Sequence, residues 1–214
     1  MSHAFSAVKM IRLIGGAVVL DFINTCNGRR PNSSLDAPQD RLNSFQFFFE
    51  WALHASLITH AEYEAYKSSI LDSVFPFQPC LKSVVDFRES LFRIFYALSQ
   101  EQPVTPEVLQ PLNDALERGN AWRVLTVKNG LPAWGWKHCS TVDELATMLV
   151  GRLAVQAESL LTGPDLQHLK CCSSLECDWL FLDSSKNKQR RWCQMSVCGS
   201  REKLNRLKHA GGAL

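Results

Sequence analysis

Four cysteines in two equally spaced pairs constrain the C-terminal part of this 214-residue chain more than any other feature. Cys172 and Cys177 have four residues between them, as do Cys193 and Cys198, and fifteen separate the pairs. Four thiolates grouped two and two suit a tetrahedral structural zinc site, because each short spacing lets one turn of chain supply two ligands from one side. A gap of four lies at the wide end of the usual range. Disulfides are the competing use, and they need an oxidising compartment. The only early apolar run, Leu13 to Leu20, is short, holds two glycines and ends at Asp21, unlike an export signal or a membrane span. Eight cysteines without such a signal indicate reduced thiols, a cytoplasmic location and no membrane segment. A redox-sensing thiol cluster is a further rival, with Cys171 as a competing ligand or resolving thiol. Cys172 is preferred because it gives the symmetric spacing. Cys26, Cys80 and Cys139 stand apart as isolated, half-buried thiols.

Between the pairs, Trp179 to Leu182 reads as a short strand, Asp183-Ser184-Ser185 with Asn187 as a turn, and Arg190-Arg191-Trp192 as a returning strand. Ser200 suits an N-cap for a helix from Arg201 to His209. Leu204 and Leu207 share one face of it and are expected to pack on Trp179, Phe181 or Trp192. So small a core depends on metal for its folding free energy. The segment CSSLECDWLFLDSSKNKQRRWCQMSVCGSREK resembles the CGNR zinc finger over about residues 169 to 208, in spacing and in its W-L-F-L-D-x-S, R-R-W-C-x-M and C-G-x-R-x-K elements. The resemblance implies Cys172, Cys177, Cys193 and Cys198 as ligands of one structural Zn2+. Ser200 stands where the family name has Asn, a change that touches no ligand.

Charge is distributed unevenly. Residues 165–214 hold nine Lys/Arg and five Asp/Glu, a local charge of +4, and the remainder holds 14 against 16. Lys186, Lys188, Arg190, Arg191, Arg201, Lys203, Arg206 and Lys208 face a single acid, Glu202, between 184 and 209. Such a cationic tip attracts phosphate, with affinity falling as salt rises, so these eight are the candidate nucleic-acid contacts. The plainer use of the same charges is to offset the formal −2 of a Zn(Cys)4 centre. If Arg190 and Arg191 lie in a strand, at most one faces a partner.

Residues 1 to about 165 are long enough for a core of their own, followed by the zinc module at 166–214, with Gly163-Pro164 as the break. Met10 to Ile14 and Ala17 to Ile23 read as a hairpin about Gly15-Gly16. Helices are expected over Ser44 to Leu57, Thr59 to Leu71 (Thr59 and Glu62 forming a capping box), Leu81 to Leu98, Thr105 to Arg118 and Thr141 to Leu161. A second hairpin, Trp122 to Val127 with Leu131 to Trp136, turns at Asn129-Gly130. The fold class that follows is α+β. It combines a mostly helical N-terminal domain carrying a small antiparallel sheet from two hairpins with a C-terminal hairpin-helix, treble-clef-like zinc module. Trp51, Trp122, Trp134 and Trp136 are read as core. Asp21 in its apolar run and Arg88 on the apolar arc of its helix must be paired or must bind something. One use is an internal ion pair. The other is a pocket for a small ligand or anion built from Asp21, Asn24, Thr25 and Arg88.

The stretch LIGGAVVLDFINT, with the helix order after it, resembles the ABATE domain over about residues 10 to 165. That domain precedes the CGNR finger in its family, which is regarded as bacterial transcription regulators responding to stress. The sequence contains no nucleophile elbow, P-loop, GxGxxG or HExxH, and a zinc with four thiolates has no open position for water. The expected function is therefore a non-enzymatic regulator. The finger contacts DNA, and the N-terminal domain senses a small molecule or forms a homodimer. The competing functions are a protein docking module and a thiol/zinc redox sensor.

Overall fold

The computed structural model describes residues 8–30, 36–67 and 78–211, in the last helix with backbone alone at 206 and 208–211. Helices dominate. They are α1 (Val18–Ile23), α2 (Phe45–His54), α3 (His60–Tyr66), α4 (Gln78–Ser99), α5 (Pro106–Asn120), α6 (Val142–Thr162) and α7 (Ser200–Gly211). Among the described residues six strands form three separate antiparallel pairs: β1 (Cys26–Asn27) with β2 (Gln39–Asp40), β3 (Arg123–Lys128) with β4 (Leu131–Trp136), and β5 (Leu169–Cys171) with β6 (Leu180–Leu182).

Local signals account for most helix starts. Ser44 accepts the Phe47 N–H at the head of α2, and Thr59 and Thr141 each form a capping box with the glutamate three residues on. The rest of the expected second helix, past residue 67, lies outside the described residues. On α4, Val84, Leu91, Ile94 and Phe95 are fully buried, as their helical spacing requires. Helix α5 runs through Gly119 to Asn120 instead of ending there. A Cβ at Gly119 would lie 2.6 Å from the Gly151 Cα, so this glycine lets α5 approach α6 backbone to backbone. Phe22, Phe48 and Trp51 form a buried aromatic group with centroids 5.5–6.1 Å apart.

The expected hairpin about Gly15-Gly16 does not form. Residues 18–23 are the helix α1, and Val19 to Ile23 are all buried. An apolar run enclosed on every side carries no period to distinguish strand from helix, and here the helix satisfies its own backbone. Gly15 and Gly16 serve a different purpose. Asp21 reaches back to accept the Gly15 N–H at 2.7 Å, and a Cβ on Gly15 would lie 2.8 Å from that of Leu20. Gly16 has φ +82°, and its Cβ position lies 3.3 Å from the Leu182 Cβ. The second hairpin forms as expected, with Asn129 and Gly130 at positive φ. Its Trp134 is 61% exposed, so this tryptophan is not a core residue, and Trp122 and Trp136 are half-buried.

The two parts of the chain share a core. Leu180 belongs to the main core, its strand β6 lies against α1 and α4, and Leu169 and Leu182 pack against the same cluster. Phe181, between them, packs instead with the four finger cysteines. Alternation along β6 thus assigns its two faces to two different cores. Asn24, just after α1, fixes the strand in place. Its Nδ2 donates to the Leu180 carbonyl and its Oδ1 accepts the Leu180 N–H, both at 2.8 Å.

Two outcomes are expected. Asn24→Ala leaves both polar groups of buried Leu180 unpaired, so chemical denaturation should show a loss of about 2–3 kcal/mol. Burial pushes the Asp21 carboxyl up to about 6, against the hydrogen bond from Gly15 that lowers it. A raised carboxyl favours the folded state most below its unfolded value, and that contribution fades as pH rises through the folded value. Stability of the wild type relative to Asp21→Asn should therefore fall between pH 5 and 7, by up to about 1.4 kcal/mol per pH unit. A flat difference over that range would show that Asp21 does not titrate there.

Candidate metal centre and nucleic-acid interface

The first cysteine pair lies in the loop between β5 and β6. The second brackets the start of a π-helical turn, Met195–Gly199, that runs straight into α7. The Sγ atoms of Cys172, Cys177, Cys193 and Cys198 lie within 4.8 Å of one another, and all four residues are buried. Cys177 to Cys193 is 3.7 Å and Cys193 to Cys198 is 3.6 Å. A tetrahedron with Zn–S bonds of about 2.3 Å has S···S edges of about 3.8 Å, so the donor set fits zinc without rearrangement. Zinc binds the four as thiolates, releasing their protons. Cys171 is not part of the cluster. Its Sγ lies 2.6 Å from an Arg30 guanidinium nitrogen and 3.6 Å from the Asp178 carbonyl.

The returning strand expected at 190–192 is absent. The partner of β6 is β5, which precedes the first cysteine pair, and the second pair is reached by an irregular segment tied at Ser173 N–H to Arg191 O. Asp183, fully buried, organises that segment. It accepts the Lys170 ammonium at 2.7 Å and the Ser185 and Arg190 amides at 3.0 and 2.9 Å. Burial alone would raise its carboxyl, but these donors hold it well below the ordinary range. Ser200 does not cap α7. It is already helical, continuing the turn whose N-cap is Gln194. Leu204 and Leu207 do not pack on the tryptophans either: they are 59% and 60% exposed, because α7 leaves the finger with that face outward.

A family model described as "Putative stress-induced transcription regulator", ABATE, matches residues 16–164, and a CGNR zinc finger model matches 168–209. The chain belongs to the ABATE family. No curated protein matches it significantly. The ABATE segment just after α1 grips the CGNR finger, and the finger holds one structural zinc ion. Arg29 packs over the Phe92 ring and pairs with Asp178, the neighbour of Cys177; its amide donates to that carboxylate at 2.6 Å. Arg30 donates to the Cys172 carbonyl at 2.5 Å and Asn27 to the Glu176 carbonyl at 3.0 Å. These residues did not emerge from the sequence as site residues. The available signal was the polar run Asn24 to Arg30 immediately after a buried helix, matched by an aspartate immediately after a ligand.

The four residues considered for a ligand pocket are bonded within the protein. Asp21 holds Gly15 and Asn24 holds Leu180. Thr25 and Arg88 do meet, at 3.1 Å, and Arg88, 1% exposed, forks onto both Asp40 oxygens at 2.7 and 2.6 Å. The internal ion pair therefore accounts for Arg88.

The eight basic candidates divide in two. Lys186, Arg191 and Lys203 are exposed, and so is Lys188, although its ammonium donates to the Asp183 carbonyl at 2.9 Å. Arg190 turns inward over the Phe181 ring to reach the Trp192 and Cys193 carbonyls, and Arg201 pairs with Glu176 at 2.8 Å. The side chains of Arg206 and Lys208 lie outside the described set.

Chelation should unfold the finger and expose Leu180. Zinc content should be one per chain in the wild type and near zero in Cys193→Ser. Arg29→Ala strands the buried Asp178 charge and should cost about 3–5 kcal/mol in denaturation. A cost under about 1 kcal/mol would mean that the pair does not hold the joint.

Proposed function

We propose that the chain is a zinc-dependent, non-enzymatic transcription regulator of the cytoplasm whose finger contacts the DNA backbone and whose ABATE domain carries the sensing or dimerising role. The observation that carries this reading is the division of the finger's cations. Arg190, Arg201 and Lys188, whose ammonium donates to the Asp183 carbonyl, are committed to the fold, and Lys186, Arg191 and Lys203 project into solvent around a rigid metal centre. Exposed cations on a preformed scaffold can neutralise phosphates without an ordering cost. All eight cysteines are free of disulfides, in keeping with a reducing compartment. Phosphate contacts set position and not sequence, so base readout would have to come from other groups.

A second reading has an observation of its own. Leu204 and Leu207 form an exposed apolar pair on α7, a feature that suits docking to a protein more than to a phosphate backbone.

Fluorescence anisotropy of the zinc-loaded protein with duplex DNA across a salt series separates the two. The DNA reading expects affinity to fall steeply with salt. Charge reversal at Lys186 and Lys203 together should lower the slope by about two and weaken binding by more than about tenfold. Leu204→Ser should leave binding unchanged. Absence of binding at low salt by a fully zinc-loaded sample would end the DNA reading and leave docking.

A further inference from the structure

We propose that the cleft between the N-terminal segment and the zinc finger is a phosphate-binding site, and that its occupant is the effector the ABATE domain senses. This deepens the sensing half of the function proposed above. The cleft measures about 370 Å3. Arg12 and Arg41 line it from the N-terminal side and Arg201 from the finger, and the ligands Cys177, Cys193 and Cys198 border it. It thus spans the joint between the two family segments, where an occupant would touch both.

Charge decides what it can hold. The Zn(Cys)4 centre carries a formal −2. Two other guanidiniums reach carbonyls of the ligand residues themselves, Arg30 at Cys172 and Arg190 at Cys193, and these offset that charge. Neither lines the cleft. Arg12, Arg41 and Arg201 then remain against the single carboxylate Glu176, a surplus of two positive charges. Arg12 is hydrogen-bonded to Gln194 and Arg201 is paired with Glu176, whereas Arg41 is exposed and has no side-chain partner among the described residues. Planar guanidinium forks favour phosphate oxygens.

Trp179 also lines the cleft. Ile14 and Val197 add apolar wall beside it, room for the base or carbon skeleton of a phosphate ester. The same chemistry would accept either the phosphate of a small molecule or a backbone phosphate of nucleic acid.

Isothermal titration of the zinc-loaded full chain with inorganic phosphate and with a nucleoside monophosphate tests the site. Saturable binding is expected. Arg41→Ala, which breaks no bond of the fold, should weaken it about tenfold or more, the loss of one charge-assisted contact. Arg93→Ala removes an equal charge from an exposed position on α4 and should leave it unchanged. No saturable binding at millimolar ligand would overturn the proposal, as would equal weakening by the two variants. A duplex titration of Arg41→Ala identifies the source. Unchanged duplex affinity with lost mononucleotide binding supports a small phosphorylated effector, whereas parallel loss would overturn the effector in favour of a DNA phosphate. Because mononucleotide binding is read without DNA, a protein that fails to bind duplex can still pass this test, and the reverse.

Discussion

The amide of Asn24 on the backbone of Leu180 is the contact on which the arrangement of this molecule depends. A zinc finger of some forty residues has little apolar surface to bury, and a three-residue strand has few ladder bonds to hold it. Asn24 acts as a fragment of neighbouring strand, supplying one donor and one acceptor at the right separation. With the strand so fixed, Leu180 enters the helical core while Phe181 lies over the zinc ligands. The GGxxxLDFxNT stretch then makes physical sense as a unit. Gly15 and Asp21 close the turn into α1, Gly16 clears Leu182, and Asn24 holds the finger. Thr25 links Phe22 O to the Arg88 guanidinium.

Buried charge provides the register of the joint. Arg29 and Asp178, with side chains 7% and 0% exposed, come from opposite sides of the family boundary, and Arg29 also bonds the Ile23 and Cys26 carbonyls. Such a pair adds little net stability over well-packed apolar residues, but a mismatched partner would leave a bare charge in the core. The joint therefore discriminates strongly against other placements of the finger. Within the ABATE segment, buried Arg88 pairs with the more exposed Asp40 and ties α4 to the short β1–β2 pair.

What was legible in the sequence follows from how local the determinant is. The helices around residues 45–54 and 142–162 carry their own N-caps, the helix 78–99 carries its periodicity, and Asn129-Gly130 encodes its turn within two residues. The cysteine cluster was legible because a metal demands ligand type and spacing at once. Helix α1 was not, because its residues 19–23 are all buried and show no period. The partner of β6 was not, because a three-residue strand chooses its neighbour by long-range packing and not by the adjacent turn. Arg88 was readable as a charge requiring a partner, but nothing near it in the chain names Asp40. Leu204 and Leu207 keep the pattern of a packed helix face although the fold leaves them in water, since a pattern states what a face could bury and not what lies opposite.

The shared core also bears on what the metal does. In an isolated finger, zinc would organise only its own loops. Here the chain that carries Cys172 and Cys177 is continuous with β5 and β6, and Leu180 on β6 is part of the core that α1 and α4 line. Free energy from metal binding is therefore spent partly on completing the helical domain. The converse also holds: Arg29, Arg30 and Asn27 tie down the first ligand loop, which lowers the conformational entropy lost on coordination. Any ligand that shifts Arg12 or Arg41 relative to Arg201 acts across this same joint, with the zinc centre as its rigid side.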